Sequence, residues 1–309
     1  MTNTRLNDQP AGEPATLDTP SGRLFGTLLV PQGSRPLPLV VIIAGSGPTD
    51  RDGNSILLPG ANNSLKLLAE GLAVNGIASL RYDKRGVGES KGAVVSEADL
   101  RFDMYADDAA EWVRKLRSDG RFSSIAILGH SEGSLLGMLA AKQSVANSYV
   151  SIAGAGRAAD KILREQLGTQ LPPPLLEAAN TTLDTLLTGQ TTTDFPPQLA
   201  ALFRPSVQPY VISWLRVDPQ IEIAALEMPV LIVQGTLDGQ VPTGDAQLLT
   251  NAHPGATLVV VDGMNHVLKC VPADAASQQA SYSDPSLPVA GALVDAVSSF
   301  VKTISTHDH

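Results

Sequence analysis

Short apolar runs rich in Val, Ile and Leu recur along the chain, separated by longer stretches whose apolar residues fall every three or four positions. The first pattern marks a strand buried on both faces, the second an amphipathic helix. The runs are Pro38–Ala44, Gly76–Tyr82, Ser124–Leu128, Tyr149–Ala153, Pro229–Gln234 and Thr257–Val261. Ahead of them, Ala15–Thr19 and Arg23–Pro31 flank Pro20-Ser21-Gly22, a hairpin signal. Helical spacing covers 63–74, with Asn63 or Ser64 as N-cap, then 98–118, Ser134–Lys142 and 288–303. In the segment 98–118, Asp99, Asp103, Asp107 and Asp108 come early and Arg114, Lys115 and Arg117 late, which complements a helix dipole. Strands joined by crossovers long enough for helices build a parallel sheet covered on both faces. The expected fold is therefore α/β, a mostly parallel eight-stranded sheet opened by an antiparallel hairpin.

Residues 157–225 interrupt the alternation with Pro172-Pro173-Pro174, a Thr-rich stretch and Pro196-Pro197. Helical pieces are expected near 158–167, 174–187 and 197–203. The segment is too long for a simple connection, so it reads as an inserted helical cap. The core is then 15–156 together with 226–305, and the polar residues 1–14 form a flexible leader.

The balance of 22 Lys+Arg against 31 Asp+Glu, net −9, shows no basic run and argues against a nucleic-acid partner. No stretch reaches about 18 consecutive apolar residues, so no membrane span is expected. The single cysteine, Cys270, permits no internal disulfide, and the leader lacks the apolar stretch of a secretory signal. Both point to the cytoplasm.

The chemistry centres on Gly129-His130-Ser131-Glu132-Gly133, a G-x-S-x-G between the strand Ser124–Leu128 and the helix Ser134–Lys142. That setting is the one a nucleophile elbow requires. A hydroxyl near neutral pH needs an adjacent base, and imidazole is the usual one. Of five histidines, His307 and His309 lie at the terminus, His253 sits in the turn before a strand, and His130 should point away from its neighbour Ser131. His266, in the loop after Thr257–Val261, stands at the same sheet edge as Ser131. Asp238, in the loop after Pro229–Gln234, is the acid best placed to orient it. Asp245, read as a cap of the following helix, and Asp262, close to its strand end, are rivals. The order Ser131, Asp238, His266 differs from both common serine-protease orders. Two backbone donors are needed for an oxyanion: the N–H of Glu132, and that of Ser46 or Gly47 in the loop after Pro38–Ala44.

Four segments, Gly45–Asn54, Leu80–Ser90, Gly129–Ser134 and Leu202–Pro219, resemble those of the EstD-like bacterial carboxylesterases, among the serine-aminopeptidase-like α/β-hydrolases. The resemblance runs over about residues 20–302. It implies the α/β-hydrolase fold, no cofactor, Ser131, Asp238 and His266 as triad, and hydrolysis of small carboxylic esters with short acyl chains. No His/Asp/Glu cluster has metal-ligand spacing. Tyr210 and Trp214 either line the substrate pocket or form cap core. The segment Asp83–Ser90 and the trio Asp50, Arg51 and Asp52 read as structural in the first place, with pocket lining as the alternative. An acyl-CoA thioesterase or an aminopeptidase using the same triad, and a non-catalytic binding protein, are the competing functions. A homodimer is kept open beside the monomer.

Overall fold

The structure is a computed structural model that describes residues 12–33 and 36–305. Most of the expected leader, residues 1–11, lies outside the described residues, as do His307 and His309. Eight strands form one sheet: β1 (Glu13–Thr19), β2 (Gly22–Leu29), β3 (Leu37–Ile43), β4 (Ala78–Tyr82), β5 (Phe122–His130), β6 (Ser148–Ile152), β7 (Val230–Gly235) and β8 (Thr257–Val261). Their spatial order is β1-β2-β4-β3-β5-β6-β7-β8. The β1–β2 and β2–β4 pairs are antiparallel and every other pair is parallel. The chain leaves β3 for β4 on one side and returns to β5 on the other. The carboxyl ends of β3 and β5 are thus neighbours, with Ile43 opposite Gly129. In open α/β sheets this reversal opens the crevice in which ligands bind.

Successive side chains of a strand face opposite ways. On β3, Leu39, Val41 and Ile43 pack with α2 (Phe102–Arg117) and α3 (Glu132–Lys142). The intervening Val40 and Ile42 pack with α1 (Ser64–Val74), together with residues near the carboxyl end of the chain. The run is continuously apolar because it must satisfy two cores.

Between β6 and β7 the chain makes α4 (Ala159–Gln170), α5 (Pro173–Leu187), α6 (Ala200–Phe203), α7 (Gln208–Leu215) and α8 (Pro219–Ala224). Helices α4 to α7 share a separate apolar cluster that includes Leu163, Leu183, Phe203 and Val211. They dock on the rest of the chain in part through α2. Phe102 stacks on Trp214 with ring centroids 5.9 Å apart, and its N–H donates to Ser213 Oγ at 2.8 Å. After β7 follow α9 (Thr243–Ala252), α10 (Ala275–Ser281) and α11 (Gly291–Ser305), and Leu293, Val297 and Val301 of α11 complete the α1 face.

Four sequence expectations shift. The helix expected from 98 begins at Phe102, because Glu97–Asp99 forms a separate 3₁₀ turn capped by Ser96 Oγ. The helix expected from Ser134 begins at Glu132, so strand and helix meet at a single residue. Helices α7, α8 and α10 are short and carry weak periodicity, and they escape a pattern reading. Asn63 stands at the N-cap position of α1 but in a left-handed conformation, φ 53°, with no side-chain cap bond.

Arg85, after β4, makes a two-pronged ion pair with Asp108 of α2, both bonds at 2.6 Å and both side chains buried. Removing one partner strands a buried charge. Arg85→Met is expected to destabilise the fold by about 3–5 kcal/mol in denaturant unfolding. Arg85→Met/Asp108→Leu should recover a large part of the loss, because no uncompensated charge remains.

Candidate active site

Ser131 is the pivot between β5 and α3, with φ 57° and ψ −123°. For a residue bearing a Cβ this region is sparsely populated and costs on the order of 1–3 kcal/mol. Neighbouring bonds hold it there. Its N–H donates to the Ile152 carbonyl on β6, and its own carbonyl accepts from Ser134 N, both at 2.9 Å. The two flanking glycines follow from space alone. A Cβ at Gly129 would run into the Gly133 carbonyl, and one at Gly133 into that of Ile43. The backbone after β3 also comes close, since a Cβ at Gly45 would lie 3.2 Å from Ser131 Cβ.

His266 follows β8 and is 6% exposed. Its Nδ1 lies 2.9 Å from Asp238 Oδ2 and 3.1 Å from Oδ1. That contact puts the ring proton on Nδ1 and leaves Nε2 as the basic atom. Asp238 is itself fixed: the N–H groups of Gln240 and Val241 donate to Oδ1 at 2.8 and 2.9 Å, and Gln234 Nε2 donates to Oδ2 at 3.1 Å. Burial pushes its carboxyl upward, but the charge and hydrogen bond of His266 and the two backbone N–H groups outweigh it, so the pKa sits below the ordinary value. The contact fixes the orientation of the imidazole ring. Among the described residues no hydrogen bond joins Ser131 Oγ to His266. Such contacts often tighten only when substrate binds.

The rival acids are engaged elsewhere. Asp262 accepts a hydrogen bond from Thr236 Oγ1 at 3.0 Å. Asp245 does not cap α9, whose N-cap is Pro242. Its carboxylate instead accepts from Gly156 N at 2.9 Å and pairs with Arg157 at 2.7 Å. His253 Nε2 lies 3.1 Å from the Leu226 carbonyl, remote from Ser131.

His130 belongs to the site although the sequence assigns it no part. It does turn away from Ser131, and in doing so its Nε2–H donates to the His266 carbonyl at 2.8 Å, with ring centroids 5.0 Å apart. Burial, and then the charge of His266, push its pKa down to about 4. It is a neutral strut under the loop that carries His266. A lone histidine inside the G-x-S-x-G offered no local sign of this partner, 136 positions away.

Ser46, Gly47, Ser131 and Glu132 share the wall of one cavity of about 710 Å³, which Tyr210 and Trp214 also line. Both aromatic residues pack against the cluster of α4 to α7 as well, so lining and core are the same surface. The segment Asp83–Ser90 likewise does two things. Lys84, Arg85, Gly86 and Val87 face the cavity, while Asp83 holds Arg51 at 2.7 Å. Arg51 also pairs with Glu89, and Asp52 with Arg81. Asp50 accepts the N–H groups of Asp52 and Asn54, both at 2.9 Å. The loop after β3 is therefore pinned to the segment after β4. Among the described residues no group of three His, Cys, Asp or Glu is placed to hold a metal ion, and no helix is long and apolar enough to cross a membrane.

The chain is similar to known proteins in sequence and in fold. A family model described as serine aminopeptidase, S33, matches residues 56–221. Esterase EstD of Thermotoga maritima is 30% identical over 248 residues, 79% of this chain and 58% of that protein. The chain thus spans under three fifths of that relative's length. Among solved structures, Est1E from Butyrivibrio proteoclasticus aligns at TM-score 0.57 and 18% identity, over 96% of this chain and 98% of its own. The α/β hydrolase GrgF from Penicillium sp. sh18 aligns at TM-score 0.53 and 20% identity, over 82% and 91%. These likenesses show the α/β-hydrolase fold.

Two outcomes test the geometry. Gly129→Ala should lower the melting temperature by roughly 10 °C or more, because the turn cannot close without moving backbone. For His130, an unfolded imidazole with the ordinary value of 6.5 takes up a proton that the folded one refuses until about pH 4. Stability should therefore fall as pH drops through that window, by about 3 kcal/mol in total. Urea titrations of wild type and His130→Gln between pH 7 and 4 should show this slope in the wild type and lose it in the variant.

Proposed function

We propose, from the premise that the chain belongs to the serine aminopeptidase S33 family of α/β-hydrolases, that it is a serine carboxylesterase acting on neutral esters, with residues 157–225 as a cap over the site. Ser131 is the nucleophile, His266 the base and Asp238 the orienting acid. His266 Nε2 takes the proton of Ser131 as Oγ attacks the ester carbonyl. The N–H groups of Glu132 and Ser46, with Gly47 beside it, receive the oxyanion at the positive end of α3. His266 then protonates the departing alkoxide, leaving an acyl-enzyme, and water activated by the same base releases the acid.

The observation that favours an ester over a peptide or a coenzyme A thioester is the charge state of the cavity wall. Among the described residues the lining carboxylates are Glu97 and Glu132, and each is already paired, with Arg204 and Lys84. A peptide ammonium would need a free one. The lining cations Lys84, Arg85, Arg157 and Arg204 are all paired with carboxylates too. Coenzyme A phosphates would need a free cation. What remains for recognition is mostly apolar, Leu135, Ile162, Leu163, Leu202, Val211 and Trp214, with Gln166 and Gln240 as neutral polar groups.

Short acyl groups are the proposed substrates, and the cavity, within the range of drug-sized ligand sites, leaves room for a bulky alcohol. The test is hydrolysis of p-nitrophenyl esters from acetate to palmitate beside alanine p-nitroanilide and butyryl-coenzyme A. Turnover is expected on the short esters and should fall roughly 10⁴- to 10⁶-fold in Ser131→Ala. Faster cleavage of the anilide or the thioester would overturn the ester assignment.

A further inference from the structure

Lys84 is an unusual neighbour for a nucleophile elbow. Its side chain is 3% exposed, and so is that of its partner Glu132. The ammonium has three N–H groups and no acceptor capacity, and the site gives each a destination. One donates to the Gly45 carbonyl at 2.5 Å. A second donates to Glu132 Oε2 at 3.2 Å. The third faces the Tyr105 ring, whose centroid is 5.5 Å from Nζ. The other carboxylate oxygen of Glu132 accepts from Tyr210 Oη at 2.7 Å, so both of its oxygens are used. A fully satisfied buried pair of this kind is rigid, and leaving either member alone would be costly.

What this pair touches gives it a chemical meaning. The Gly45 carbonyl and the Ser46 N–H belong to one planar trans peptide and point in opposite directions. Holding the oxygen fixes the direction of the N–H. The next carbonyl, that of Ser46, is held by Thr49 Oγ1 at 2.8 Å, so the residue is gripped on both sides. The same ammonium binds the side chain of Glu132, whose backbone N–H opens α3 behind Ser131.

We propose that Lys84 is a positioning residue for the oxyanion hole, one ammonium setting the Gly45–Ser46 peptide and the Glu132 turn against each other so that both donors converge before substrate arrives. This rests on the reading of Ser46 and Glu132 as the oxyanion donors. Preorganised donors act on charge that develops in the transition state and contribute little to ground-state binding. Loss of Lys84 therefore lowers turnover and leaves substrate affinity nearly as it was.

The experiment compares wild type with Lys84→Met and with Lys84→Met/Glu132→Gln. The double variant removes both charges and keeps an acceptor for Tyr210, so it reports even where the single variant fails to fold. Two rates are measured on protein with native circular dichroism: kcat and KM on p-nitrophenyl acetate, and phosphonylation of Ser131 by an alkyl fluorophosphonate, which builds negative charge on the same donors without needing an ester. The expected result is a fall of roughly 10- to 100-fold in both kcat and phosphonylation, the scale of a slightly misplaced group, with KM changed less than about threefold. Folded variants whose phosphonylation stays within about twofold of wild type, or whose defect lies in KM alone, would overturn the proposal. Wild type that is phosphonylated yet hydrolyses no ester would sink the esterase reading, while the ratio of phosphonylation rates would still decide the role of Lys84.

Discussion

Ser131 sits at φ 57° and ψ −123°, a conformation it keeps only because β5, β6 and α3 close around it. The surrounding architecture can be derived from that strain. The parallel pairing of β5 with β3 on one side and β6 on the other buries the elbow in the centre of the sheet. The glycines at 129 and 133 exist because carbonyl oxygens occupy the space a side chain would need. The strain also has a use, since a sharp strand-to-helix turn lifts the hydroxyl above the sheet edge and leaves the first N–H groups of α3 unpaired beside it.

Around the elbow the protein spends many of its charges on holding loops. Asp83 fixes Arg51, Arg81 holds Asp52, Lys84 joins Gly45 to Glu132, and Arg85 is locked on Asp108. All four of these anchors lie in the segment that follows β4 or ends it. Its neighbour in space is β3, whose loop approaches Ser131. The consequence is a cavity whose charged lining residues, among the described residues, are each ion-paired.

The helices between β6 and β7 take part in the same arrangement. Tyr210 on α7 reaches Glu132 of the elbow, and Trp214 on the same helix stacks on Phe102 of α2. Helix α7 is thus hydrogen-bonded to the turn that carries Ser131. The mixed part of Tyr210 and Trp214, at once core and lining, follows from their amphipathic rings.

The strands, the hairpin and the main helices were legible in the residues because period, turn chemistry and capping act within a few positions of the chain. Residues 129–133 declared a strained turn for the same reason: glycine is demanded locally. Ser131, Asp238 and His266 could be nominated because each follows a strand, and a parallel sheet sends its strand ends to one edge. The short helices α7, α8 and α10 were not legible, since a helix of two turns has little periodicity and owes its stability to what it packs against. Nor were the partnerships. Lys84 meets residues 39 and 48 positions away, and His130 meets His266 across 136. Asp245 abandons an expected capping role for Arg157, 88 positions off. Those meetings depend on strand order, and only the tertiary structure could decide them, because a buried charge takes whichever partner the closed sheet places within a hydrogen bond's reach.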